Sequence, residues 1–428
     1  MENICTMIKI KGNMYILFYF LLIFSSCEIF DSNENLKIEK VFIAKQGDDQ
    51  IAIFNLLDNS IDTILIDYPE IDCLELENEQ CQNAGCMWHI MGEDYMCMSM
   101  STPQSTNGPH FVTLDNLNRY LFVTSISSGW VGRYNLDSYE FIDKIMVGSM
   151  PALMVLNQTD SKLYVSRMMS MTINPNDIHL QDRTDIQVIN YSDNDKMYLE
   201  NTIEIGSPSP HAVSINTTGS EIFVSTYEGN WLFKINAFSN MVIAEQPLES
   251  FTLDKSEKNA RLKPVQSVLV QDSLLFISCE GGVWGSGSST ESIPGQIQMW
   301  NTNSMTLIDT YKFNVINRPW HIIASPINNQ IYIVLKGPFN TGLHPDEDGV
   351  ACLSFSSKGM DKKWHITNSS FNYLHGITIS NDGSTLFVTG ETDANLYEIK
   401  AIDGQVLNII PIGLEGISKL QGVTYYSN

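Results

Sequence analysis

One phrase recurs along the chain and restricts it to a small set of architectures. GPHFVTLDNLNRYLFVTS, SPHAVSINTTGSEIFVSTYEGN, RPWHIIASPINNQIYIVL and LHGITISNDGSTLFVTG share a pattern. An alternating apolar strand is opened by Pro or Leu, a turn of Asn, Asp and Gly follows, and a second strand closes on V-T-S or a relative of it. Third and fourth strands come next, as in NWLFKINAFSNMVIAEQPL. Turn residues between β-branched and aromatic runs mark antiparallel hairpins, and helical periodicity is absent. A unit this small cannot bury its own apolar face, so such repeats fold by stacking on their neighbours.

Aligning the first strands places unit starts at Pro109, Pro151, Pro210, Pro264, Pro319 and Leu374. A seventh unit is split. VFIAKQGDDQIAIFNLLDNSIDTILID (41–67) supplies second, third and fourth strands with no first strand before them, and LQGVTYY at the C-terminal end reads in register with LHGITIS. The pattern therefore predicts an all-β chain, a seven-bladed β-propeller over residues 41–428 whose C-terminal strand completes the first blade in 3+1 fashion. The stretches VFIAKQGDDQIAIFN, LFVTSISSGWVGRYNLDSYEFIDKIMVG and LFVTGETDANLYEIK resemble the seven-bladed YVTN family. That resemblance implies the fold. It leaves the function open, because propellers of this type include surface proteins, cytochrome-like enzymes, lactonases and copper reductases.

The N-terminal segment reads as a targeting signal. Lys9 and Lys11 precede the apolar run MYILFYFLLIF, which is too short to span a bilayer, and Ser25, Ser26 and Cys27 follow. Small residues before a cysteine resemble the lipobox of bacterial lipoproteins. That resemblance implies a signal peptide over 1–26, a lipid on Cys27 and a tether over 27–40, with attachment to a membrane in the periplasm or at the cell surface. A plain secretory signal or an uncleaved anchor is the alternative.

Cys73, Cys81, Cys86 and Cys97 crowd into an insertion over 69–108, between blades 1 and 2, and in an oxidising compartment read as two disulfides of open connectivity. A zinc site that includes His89 is the alternative, though no C-x2-C pair is present. Cys279 and Cys352 stand alone and read as buried free thiols. A formal charge of -24 argues against a nucleic-acid partner, which needs clustered Lys and Arg.

The propeller gives the repeated histidines a common address. First strands line the central channel, and their beginnings lie at the face that carries the second-to-third and fourth-to-first loops. The residues expected there are His110, Ala152, His211, Gln266, His321, His375 and Gln421, with a one-residue shift after proline for Gln266 and His321. Arg167, Glu280, Lys336 and Glu391 end or follow second strands and are expected at the same mouth. Long connections over 168–185, 280–296 and 336–349 decorate this face, and loops on a rigid scaffold are where binding usually lies.

Each mouth histidine can instead hold a neighbouring blade's backbone, as repeated residues in repeat proteins generally do. His110, His211, His321 and His375 would also suit a transition metal ion. A polar pocket for a protein, a glycan or a small molecule is the remaining reading. The acidic stretch HPDEDG (344–349) lacks the spaced alternation of a calcium loop. Serine-hydrolase, zincin and c-type haem motifs are absent. A binding protein and a metal-dependent redox or hydrolytic enzyme are the two classes left.

Overall fold

The computed structural model describes residues 37–67, 107–148, 150–168, 184–250, 254–285, 290–314, 317–337 and 348–428, with backbone alone for Met87–Met91 and Asp94–Met98. The chain divides into two compact units. Of the first, Met1–Ile38 with Asn428, three residues are described, and the Asn428 side chain accepts a hydrogen bond from the Ile38 backbone at 2.7 Å. The second, Glu39–Ser427, is the propeller.

Seven four-stranded antiparallel sheets form it, six of them in simple chain order. From blade 2 to blade 7 the innermost strands are Pro109–Asp115, Pro151–Asn157, Pro210–Ile215, Pro264–Val270, Arg318–Ala324 and Leu374–Ile379. Blade 1 joins the two ends of the unit. Leu420–Ser427 lies innermost and pairs with Glu39–Lys45, which pairs with Gln50–Asn55 and then Ile61–Leu65. The register of the closing pair runs from Glu39 opposite Ser427 to Lys45 opposite Leu420. The split unit is thus closed as the repeat predicts, with the sheet beginning at Glu39.

Second strands are apolar on both faces because a blade is sandwiched between two others. Leu121, Phe122 and Val123 are fully buried, as are Leu386, Phe387 and Val388. Each apolar cluster belongs to a seam. Phe42, Ala44, Ile51 and Ile53 of blade 1 meet Val112, Leu121, Val123 and Tyr134 of blade 2. Val41 and Ile43 meet Phe387 and Leu396 of blade 7 across the closing seam.

Every innermost strand carries a register shift near its beginning, for instance between Pro109 and Phe111 and between Pro210 and Ala212. A bulge leaves an extra residue outside the ladder and turns its side chain away from the pleat. His110 and His211 occupy that position. By the same count Val265 and Trp320, rather than Gln266 and His321, follow the opening proline of blades 5 and 6.

The expected disulfides fall largely outside the described residues: Cys73, Cys81 and Cys86 lie there, and of Cys97 only the backbone is described, in a hairpin of Met87–Met91 with Asp94–Met98 where it stands opposite Trp88. Cys279 and Cys352 are buried free thiols as expected, and burial pushes the Cys352 thiol up to about 12.

Candidate functional site

The backbone at each bulge needs a partner, because the extra residue breaks the ladder. In blades 2, 3, 5 and 7 a hydroxyl near the end of the second strand supplies it. Thr124 Oγ1 accepts from the Phe111 amide at 3.0 Å, Ser166 Oγ from Leu153 at 3.1 Å, Ser278 Oγ from Gln266 at 3.1 Å and Thr389 Oγ1 from Gly376 at 2.7 Å. Three of these hydroxyls donate onward to the next blade: Thr124 to the Ala152 carbonyl at 3.0 Å, Thr389 to the Gln421 carbonyl at 2.7 Å, and Ser278 to the Trp320 carbonyl. The threonine or serine of the V-T-S phrase is therefore a stitch between blades.

Blade 4 makes this stitch differently. Ser225 holds the corresponding place, yet its Oγ has no hydrogen-bond partner among the described residues. The Val265 carbonyl of blade 5 is instead bonded by His211 Nδ1. A carbonyl only accepts, so Nδ1 carries the proton. Burial depresses the His211 pKa to about 4, which keeps the ring neutral. His211 is a seam residue.

The other three histidines gather on the axis. The His375 ring centroid lies 5.4 Å from that of His110 and 4.7 Å from that of His321, both edge to face. Trp320 stands 5.6 Å from His375 on another side. His110 is 8% exposed, and His321 and His375 are each 2% exposed. His110 Nδ1, His321 Nε2 and His375 Nδ1 have no hydrogen-bond partner among the described residues. Burial depresses the His110 pKa to about 3 and holds His321 and His375 well below the usual imidazole range, with Lys336 and the neighbouring imidazoles opposing protonation further. The cluster is neutral and presents unmatched ring nitrogens. Among the described residues no three His, Cys, Asp or Glu side chains are grouped to hold a metal ion. Imidazole donors for a metal are present without that grouping.

Gln266 and Gln421 are at the channel without joining this cluster. Gln266 Oε1 accepts from the Ile322 amide at 2.8 Å, so its carbonyl end holds blade 6. Gln421 is buried, and its backbone carbonyl takes the Thr389 stitch.

The charged candidates occupy the same end, and each has a partner of opposite charge. Glu280 Oε1 receives Arg318 Nε at 2.7 Å and Oε2 receives the Tyr227 hydroxyl at 2.6 Å, joining blades 4, 5 and 6. Lys336 Nζ lies 2.8 Å from Glu391 across the seam between blades 6 and 7. It also lies over the rings of Trp320 and Tyr373, at 4.1 and 4.4 Å. Burial lowers the Lys336 pKa, opposed by Glu391. Arg167 pairs with Asp185 within blade 3 and donates to the Val147 carbonyl at 2.8 Å. Taking so many charges out of water is costly, and here each is matched by an opposite charge.

Asp348, in the acidic stretch, accepts the Gly337 amide and, at 2.6 Å, the Tyr373 amide. Its carboxylate holds a loop base, while 344–347 lie outside the described residues. Arg318 and Tyr227 are functional neighbours that the repeat alignment passes over. The signal for Arg318 is its place immediately before the Pro319 that opens blade 6.

No family model matches the chain, and no curated protein matches it. Solved structures do. A functionally unknown protein from Desulfotomaculum acetoxidans is 12% identical, with 89% of this chain and 98% of that one covered at a TM-score of 0.60. The Kuenenia stuttgartiensis hydrazine synthase is 12% identical over 76% of this chain and 91% of that chain, at a TM-score of 0.56. The dihydro-heme d1 dehydrogenase NirN in complex with DHE is 10% identical over 90% and 74%, at 0.51. At such identities the likeness is one of fold, and the fold is a seven-bladed propeller whose neighbours include enzymes.

Proposed function

We propose that this protein is an exported binding protein of the YVTN-type propeller class, anchored to a membrane by lipid on Cys27, and that it receives its ligand at the loop-bearing end of the channel. One observation carries the binding reading: three unpartnered nitrogens on buried, neutral imidazoles at the axis, His110, His321 and His375. Buried polar atoms are nearly always matched, so an unmatched trio on the symmetry axis supports an outside partner with complementary polar groups. The charged groups around it are already paired, which favours a neutral or weakly polar group at the imidazoles over a highly charged one. The strongly acidic composition supports a protein, glycan or small-molecule ligand and no nucleic acid.

The test uses full-length chain produced with its own N-terminal segment and analysed by native mass spectrometry and elemental analysis. The expected result is a bound non-protein species, lost on His375→Phe while the circular dichroism spectrum is unchanged. A clean apoprotein mass for both forms sinks the reading. A stoichiometric transition metal lost on the same substitution replaces it with the metal-dependent alternative. Incorporation of labelled palmitate that persists in Cys27→Ser would refute the anchor.

A further inference from the structure

Beyond the histidines, on the side of blades 2 to 5, the channel wall has a lining without a charged side chain. A cavity of about 260 Å³ there is bounded by Phe111, Val213 to Ile215 and Gln266 to Leu269, with Leu153, Met154 and Val155 on its third side. Ile215 is the last residue of Pro210–Ile215 and Leu269 the penultimate one of Pro264–Val270, so the cavity reaches toward the face opposite the long loops. Phe111, Val155, Ile215, Val268 and Leu269 are only half-buried although they sit on innermost strands, which leaves apolar surface uncovered inside the ring. Consecutive residues line it because an innermost strand has a sheet partner on one side only and turns its other edge to the axis.

Two polar devices sit in this apolar wall. Ser214 and Ser267, both more than nine-tenths buried, share one hydrogen bond of 2.6 Å. Two hydroxyls carry two protons, and the bond between them uses one, so the second is available to an acceptor. The Gln266 carbonyl is held by Ile322, which turns its amide nitrogen into the remaining donor. We propose that this half-channel is a binding site for a small uncharged molecule with an aromatic or branched aliphatic body and one hydrogen-bond acceptor such as a carbonyl. An ion would lose its hydration there without an opposing charge, which excludes it. The site adjoins the histidine end, with the Phe111 ring 6.3 Å from that of His321, but includes none of the three imidazoles, so its fate is told apart from that of the function proposed above by the substitutions below.

The probe is acetophenone, titrated into the full chain by saturation-transfer NMR and calorimetry, with toluene and benzoate as comparisons. Saturable one-to-one binding of acetophenone is expected, at least about tenfold tighter than toluene or benzoate. Ser267→Ala is expected to weaken acetophenone about tenfold while leaving toluene unchanged. Val268→Phe, at a half-buried side chain, is expected to abolish binding by filling the cavity, with the circular dichroism spectrum of the folded protein retained. No saturable acetophenone binding below about 5 mM, binding of benzoate as tight as acetophenone, or undiminished binding in Val268→Phe would each overturn the proposal.

Discussion

Removing the His211 imidazole leaves the Val265 carbonyl without its donor in a seam that water does not reach. His211→Ala is therefore expected to lower unfolding stability by about 1 to 3 kcal/mol, and to do so equally with and without added metal, as measured by denaturant unfolding. A loss that appears only in metal-loaded protein would show His211 to be a ligand rather than a seam residue. The imidazoles also set an acid limit. Their folded pKa values are depressed, to about 3 for His110 and about 4 for His211, against about 6.5 in an unfolded chain. The unfolded state alone binds these protons on acidification. The stabilisation is complete above about pH 6.5 and is lost as pH falls from there toward 3. Thermal melts from pH 7 to pH 4 should show this decline, and it should be shallower in His110→Gln with His375→Gln. An unchanged slope in that pair would place the acid sensitivity elsewhere.

At the scale of the strand, the stitch explains why hydroxyls recur where the second strand meets the bulge. Thr389→Val keeps the shape of the side chain but strands both the Gly376 amide and the Gln421 carbonyl, and is expected to cost about 2 to 4 kcal/mol. Ser225→Ala, at the corresponding place in blade 4, removes a hydroxyl with no partner among the described residues and should change stability by less than about 0.5 kcal/mol. Equal losses at the two sites, measured by urea unfolding, would discard the stitch. The same closing seam constrains Gly376, where a Cβ would clash with the Gln421 carbonyl oxygen. Gly376→Ala should therefore destabilise by about 1 to 3 kcal/mol through forced separation of blades 7 and 1.

The strands and their order were legible because alternation and turn residues repeat with the blade. The cluster of His110, His321 and His375 was legible only as a shared address, since the bulge decides which side chains turn to the axis and shifts blades 5 and 6 by one residue. The Ser214 and Ser267 pair was invisible in the sequence, because two serines on neighbouring innermost strands carry no periodic signal.

For the whole molecule, closure rests on one strand. Leu420 is fully buried, and Val423 and Tyr426 are nearly so. Tyr425 stacks on Phe387 of blade 7, with ring centroids 5.8 Å apart, while its strand pairs with Glu39–Lys45 of blade 1. Deleting 419–428 removes both contacts at once and exposes an apolar ladder, so it should abolish the cooperative melt rather than lower it by a few degrees. A truncated chain that melts as sharply as the parent, followed by calorimetry, would disprove the dependence on this strand.

The split first blade also sets a timetable for synthesis. Glu39–Lys45 leaves the ribosome before its inner neighbour Leu420–Ser427, which is made only after the six intervening blades. Until then the first sheet stands with an open edge that awaits a strand distant in sequence. The closing strand of a second nascent chain has the same sequence and would fit the same edge, so crowding on one messenger favours exchanged strands and linked rings. Faithful assembly then depends on each ring being closed by its own strand before a neighbour's arrives.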